Sequence, residues 1–134
     1  MPHVVVEYSA NLAAEIGPAR LVEIVHRAVL ADPAFEIGAV RTRAIGYEDF
    51  MIADGDPGNA FVAVTIRIGP GRDSATRKRI SESVAAALAE ALASAFERRG
   101  LALSVEVAEL DDSAMTRKNN LHARMRAKAG GTPR

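Results

Sequence analysis

Close to the start of the chain, Val4-Val5-Val6 is followed by Glu7-Tyr8. A short β-branched run of this kind predicts a strand from about 2 to 8, covered on both faces. Ser9-Ala10-Asn11 reads as a loop. Leu21, Ile24, Val25, Ala28 and Val29 then recur at three- and four-residue spacing, which predicts a helix with one buried face. Pro18 suits its first turn, where a missing N–H costs nothing, and Asp32-Pro33 stops it. Val40 to Ile45 alternates as a second strand, with Tyr47, Phe50 and Met51-Ile52 continuing it past a bend at Gly46. Asp54 to Asn59 is the densest turn signal. A third strand runs from Phe61 to Ile68, with Val62, Val64, Ile66 and Ile68 on one face. Gly69-Pro70-Gly71-Arg72-Asp73 forms a glycine-rich turn, and Asp73 or Ser74 can cap the next helix. In that helix Ile80, Val84, Leu88, Leu92 and Phe96 step by four along one stripe, and Gly100 ends it. Alternation of Leu101, Leu103, Val105 and Val107 predicts a last strand over about 101–109. Residues 110–128 form a polar arm with room for a helical turn, and 129–134 read as a disordered tail.

The order is β-α-β twice, with halves at about 2–54 and 60–109 inside one domain spanning 1–128. This places the chain in the α/β (α+β) class: a β-α-β pseudo-repeat whose four-stranded mixed sheet has both helices on one face. Two helices cannot also cover the other face, so another subunit is its expected cover. A length of 134 residues, 49% apolar and 25% charged, fits one globular core. Seventeen basic and seventeen acidic side chains cancel, which disfavours a nucleic-acid partner. The lack of cysteine excludes disulfides, thiolate catalysis and Cys-based metal sites. No stretch reads as a membrane span or a signal peptide, so a cytoplasmic protein without a membrane partner is expected.

Methionine followed by proline is normally trimmed, so the mature chain is expected to begin with a proline secondary amine. That feature and the double β-α-β order resemble the tautomerase superfamily. The segments Pro2-His3-Val4-Val5-Val6-Glu7, Gly38 to Arg43, Ala53-Asp54-Gly55, Ala60-Phe61-Val62, Ile68 to Arg72, Leu101 to Glu106 and Lys118 to Ala123 narrow the resemblance. In order and spacing they are similar to 5-carboxymethyl-2-hydroxymuconate isomerases, from Pro2 to about Ala127. The resemblance implies a homotrimer and an isomerisation of a small polycarboxylate dienol in homoprotocatechuate (4-hydroxyphenylacetate) degradation, with no cofactor or metal. Another terminal-proline activity, a decarboxylase or dehalogenase, is the nearest alternative. A non-enzymatic ferredoxin-like ligand-binding oligomer shares the element order.

An isomerase of this kind needs one group that takes a proton from oxygen and returns it to carbon. A neutral amine at Pro2 does this if burial and nearby cations hold down its basicity. Arg41, near the start of the second strand, and Arg72, in the turn after the third, are the candidate forks for carboxylates and enolate charge. Two glycines near Arg72 permit close backbone approach, and the following helix start attracts anions. Arg43 lies on the same strand face as Arg41 and competes for its role, with family register favouring Arg41. His3 should point away from Pro2 across the strand. His26 reads as structural, and the stretch containing His122 as packing against the body or a neighbouring subunit. Tyr47 and Phe50 suit either pocket or core. Arg77-Lys78-Arg79 and Arg98-Arg99 read as solvated helix ends.

Overall fold

A computed structural model describes residues 2–131. Its elements are β1 (Pro2–Ser9), α1 (Pro18–Leu30), β2 (Arg41–Tyr47), β3 (Ala60–Ile68), α2 (Ser74–Ala91), α3 (Ala93–Arg98), β4 (Leu101–Glu109) and α4 (Leu121–Gly131). The strand order is β2-β1-β3-β4. Each β-α-β half contributes a parallel pair, β1 with β2 and β3 with β4, and the halves join through antiparallel β1 and β3. The predicted pseudo-repeat and mixed sheet are therefore present.

Period-two alternation divides the sheet into two unlike faces. Val4, Val6, Val62, Val64, Ile66 and Ile68 are at most 1% exposed. They pack in one cluster with Leu21, Val25 and Val29 of α1 and with Ile80, Val84 and Leu88 of α2. Both helices thus lie on one face. On the other face Val5, Glu7, Phe61 and Thr65 remain half-buried within the chain. The valine run of β1 is consequently covered on one side only, not on both. Pro18 occupies the start of α1 and Asp73 caps α2, its carboxylate accepting from Thr76 N at 2.8 Å.

Four expectations need correction. The second strand stops at Tyr47, and Phe50 to Ile52 form no strand. The long helix breaks at Leu92 (φ −101°, ψ 11°), which shifts the phase of the stripe. Ala95 turns inward at 2% exposure while Phe96 is left 42% exposed. The C-terminal arm carries an 11-residue helix, α4, that includes Ala129 to Gly131 of the expected tail. Alanine, arginine, lysine and methionine are strong helix formers, so no apolar stripe is needed to explain it. Residues 132–134 of that tail lie outside the described residues.

Nor are the basic runs merely solvated. Arg79 binds Asp32 through two nitrogens, each at 3.0 Å. Arg77 reaches Glu109 at 3.0 Å, and Arg98 and Arg99 both reach Glu15, at 3.1 and 3.2 Å. Among the described residues no helix is long and apolar enough to cross a membrane.

Candidate active site

Parallel and antiparallel pairing bring four chain segments to one end of the sheet. β1 and β2 begin there, and β3 and β4 finish there. Pro2 pairs with Ile68, and His3 pairs with both Arg67 and Arg41. The first residue of β1 is thus flanked by the start of β2 and by the Gly69–Asp73 turn. At this end lies a cavity of about 360 Å³, within the size range of small-molecule sites. Arg41, Gly69, Pro70 and Arg72 line one side of it, and Asp112, Arg117, Asn119 and His122 the other.

Arg41 and Arg72 therefore share one cavity, as their positions in the sequence predicted. Arg72 donates to Ala34 O at 2.7 Å, and its guanidinium carbon stands 5.0 Å from the Phe35 ring centroid. Arg41 donates to Ala39 O at 3.3 Å. These carbonyls help to orient the guanidinium groups. The loop that supplies Ala34 is itself held by Asp32, whose Oδ1 accepts from Ala34 N at 2.9 Å. Hydrogen bonds from Arg79 keep the Asp32 carboxyl below its usual range, against the opposing effect of burial.

A Cβ at Gly69 or Gly71 would meet nothing within 4 Å, so neither glycine serves a close backbone approach inside the chain. Gly71 is needed for its backbone, with φ at +113°. The start of α2 is already occupied by the carboxylate of Asp73, whose acidity is raised by the hydrogen bond to Thr76.

Arg43 is exposed and does not line the cavity; it lies 3.1 Å from His3 Nδ1 on the open sheet face. Pro2 is buried and His3 half-buried, as alternation predicted. Burial and then the charges of Arg43, Arg41 and Arg67 lower the His3 pKa. Tyr47 hydrogen-bonds to Glu7 and sits 6.1 Å from the Phe61 ring, and neither it nor Phe50 reaches the cavity. His26 is structural, its Nδ1 2.8 Å from Thr42 Oγ1 and so tying α1 to β2.

Sequence reasoning missed the second wall. Lys118 to Ala123 was expected to pack against the body or a neighbouring subunit, and Leu121 and His122 do pack on the body at Gly38; that the stretch also lines the cavity, beside Arg117, was not read. His122 also borders an apolar groove of about 320 Å³ lined by Ile37, Met125 and Ala129. Among the described residues no group of three or more His, Cys, Asp or Glu side chains is gathered as metal ligands.

Comparison with known proteins agrees with this geometry. The family model for 5-carboxymethyl-2-hydroxymuconate isomerase matches residues 2–125. A 5-carboxymethyl-2-hydroxymuconate Delta-isomerase of Escherichia coli is 32% identical over 123 residues, 92% of this chain and 98% of the relative. The crystal structure of a 5-carboxymethyl-2-hydroxymuconate isomerase from Deinococcus radiodurans R1 superposes with a TM-score of 0.85 at 35% identity, covering 93% of this chain and 94% of its own. A "Q0 fused 4-OT wild type symmetric trimer" shares the fold, with a TM-score of 0.66 at 16% identity over 87% of this chain and 92% of its own. The fold is that of the tautomerase superfamily, and the protein is an isomerase. Within that superfamily the chain belongs to the 5-carboxymethyl-2-hydroxymuconate isomerase family.

Proposed function

We propose that the protein moves a proton across a conjugated 2-hydroxy-dienoate to give its 2-oxo-3-ene isomer, with 5-carboxymethyl-2-hydroxymuconate as substrate and no cofactor. The amine of Pro2, freed by loss of Met1, takes the proton from the enol oxygen. The oxygen's electron pair closes to a carbonyl, the double bonds shift along the chain, and the far carbon of the diene receives the proton. Atoms and charge balance, and the amine is regenerated.

A free α-amine titrates at about 7.7–8.0 in model compounds, and a secondary amine is somewhat more basic. Burial and nearby positive charge both disfavour an ammonium form, the direction a proton shuttle needs. Arg41 and Arg72 bind carboxylate and hold the enolate charge as it develops. The observation that carries this reading is the shared sheet end. Two oriented guanidinium groups line a cavity beside the strand that starts at Pro2.

The half-exposed second face of the sheet supports assembly as a homotrimer, with the cytoplasm as its place of work. Sedimentation of the purified protein tests the assembly.

Turnover of 5-carboxymethyl-2-hydroxymuconate, followed by the loss of dienol absorbance, tests the mechanism. A variant that retains one residue before Pro2 should lose at least about 100-fold in kcat while melting at the same temperature. Full activity in that variant, with the extra residue verified by intact mass, would rule out the amine as the shuttle.

A further inference from the structure

The two walls of the cavity have separate origins. One belongs to the sheet end, the other to the segment that leaves β4. Among the described residues lining the space are the guanidinium groups of Arg41, Arg72 and Arg117 and the carboxylate of Asp112. Arg117 is held by an ion pair with that carboxylate. Asn119 Oδ1 accepts from Leu121 N at 2.6 Å, which fixes the start of α4. His122 Nδ1 lies 2.7 Å from Glu36 Oε2, off the hydrogen-bond direction, and forms an ion pair there when the imidazole is protonated.

This wall is seated on a glycine. A Cβ at Gly38 would stand 2.9 Å from His122 N and 3.0 Å from Leu121 C. Those atoms are backbone at the head of a helix, and they cannot swing aside as a long side chain would. Gly38 therefore lets the segment approach closely enough to close the cavity.

We propose that Arg117, with His122 beside it, receives the carboxylate farthest from the reacting enol, and that the contact at Gly38 positions both. The isomerase consequently selects polycarboxylate dienols over monocarboxylate ones. This rests on the isomerase reading above. The sheet-end arginines then hold the charge next to Pro2, and the segment after β4 measures the length and charge of the rest of the substrate. A guanidinium fork suits that task because its geometry matches a carboxylate bidentately.

The test compares kcat/KM for 5-carboxymethyl-2-hydroxymuconate and for 2-hydroxy-2,4-pentadienoate, a monocarboxylate dienol. Arg117→Ala should lower the ratio of the two constants by about 10- to 100-fold, mainly through KM for the polycarboxylate, and Arg117→Lys should recover part of it. Gly38→Ala should lower the same ratio through the displaced segment. An unchanged ratio in Arg117→Ala overturns the proposal, and an unchanged ratio in a folded Gly38→Ala protein overturns the positioning role of Gly38. Calorimetric binding of propane-1,2,3-tricarboxylate separates the two readings. If wild type turns over neither dienol yet Arg117→Ala still weakens tricarboxylate binding tenfold, the isomerase reading fails and the anion site stands. If the tricarboxylate binds both proteins equally, the anion site fails.

Discussion

The two ends of the sheet solve the same problem in opposite ways. At the end away from the cavity, asparagine and serine side chains bonded to backbone help to close the loops, beside the ion pairs of Arg98 and Arg99 with Glu15. Asn11 Nδ2 donates to Pro57 O at 3.1 Å and Asn59 O at 2.8 Å, and Asn59 Nδ2 donates to Ile52 O at 3.1 Å. The buried Ser9 hydroxyl accepts from Phe61 N at 2.9 Å. At the cavity end, Arg41 and Arg72 also find backbone carbonyls, but a carbonyl satisfies a donor without neutralising it. Hydrogen-bond satisfaction and charge compensation are separate quantities. The first end gathers carboxylates, of Glu48, Asp49, Asp54 and Asp56, in the loop between β2 and β3, which makes it repel an anion. The second brings the guanidinium groups of Arg41 and Arg72 to one cavity, each donating to a backbone carbonyl.

Asp32 sharpens the contrast. It is the carboxylate next to the loop on which Arg72 leans, yet two bonds from Arg79 already occupy it. The nearby anion is bonded to Arg79 rather than to Arg72, although the charges of Asp32 and Arg72 still attract through space.

If the contrast is real, mutations at the two ends should separate activity from stability. The largest effect is expected at Arg72. Arg72→Ala should lower kcat/KM for the polycarboxylate dienol by about 100-fold. Because the side chain also stacks on Phe35 and binds Ala34, about 1 kcal/mol of stability should go with it, read by urea unfolding. A stability loss above about 3 kcal/mol with normal kinetics would make Arg72 structural and remove the distinction.

Next is Asp32→Asn, expected to lose about 2 kcal/mol through the broken pair with Arg79. The folded carboxyl is more acidic than the unfolded one, so the wild-type pair stabilises the fold above the ordinary pKa of 3.8. That contribution disappears as pH falls from 3.8 through the lower folded value. Urea midpoints measured across this acid window should slope in wild type and flatten in the variant.

At the other end, Asn59→Ala should cost about 1–2 kcal/mol of stability and leave kcat/KM within about twofold. A large catalytic defect there would show that the closed end also shapes the site. The smallest change is expected from His3→Gln. The folded His3 resists protonation, so wild-type stability is complete above the ordinary value of 6.5 and declines as pH drops toward the lowered folded value. The variant should lose that part of the slope, measured between pH 6.5 and the acid limit of the fold.

Much of this arrangement was legible in the residues. The strands announced themselves by alternation, and Pro18, Asp73 and Gly100 marked helix limits. Arg72 stood out by its glycine-rich turn before a helix, whereas Arg41 was preferred to Arg43 through the family resemblance. The helix break at Leu92 could not be read, since the stripe from Ile80 to Phe96 keeps a perfect four-residue step through it. The break at Leu92 turns Ala95 inward and leaves Phe96 exposed. Helix α4 was hidden for the reverse reason: its side chains favour helix by propensity and carry no apolar stripe to reveal it.

By itself, then, the chain determined its elements, its two-fold β-α-β order and the two cations beside the first strand. These follow from local chemistry: spacing of apolar residues, turn formers and caps act within a few positions of one another. Tertiary structure alone decided that Arg117 and His122 meet those cations, and that Arg43 does not. The meeting depends on α4 lying against Gly38, more than eighty positions away in the chain. No pattern of neighbours encodes a contact between two backbones that distant, because what permits it is the absence of a side chain at one of them.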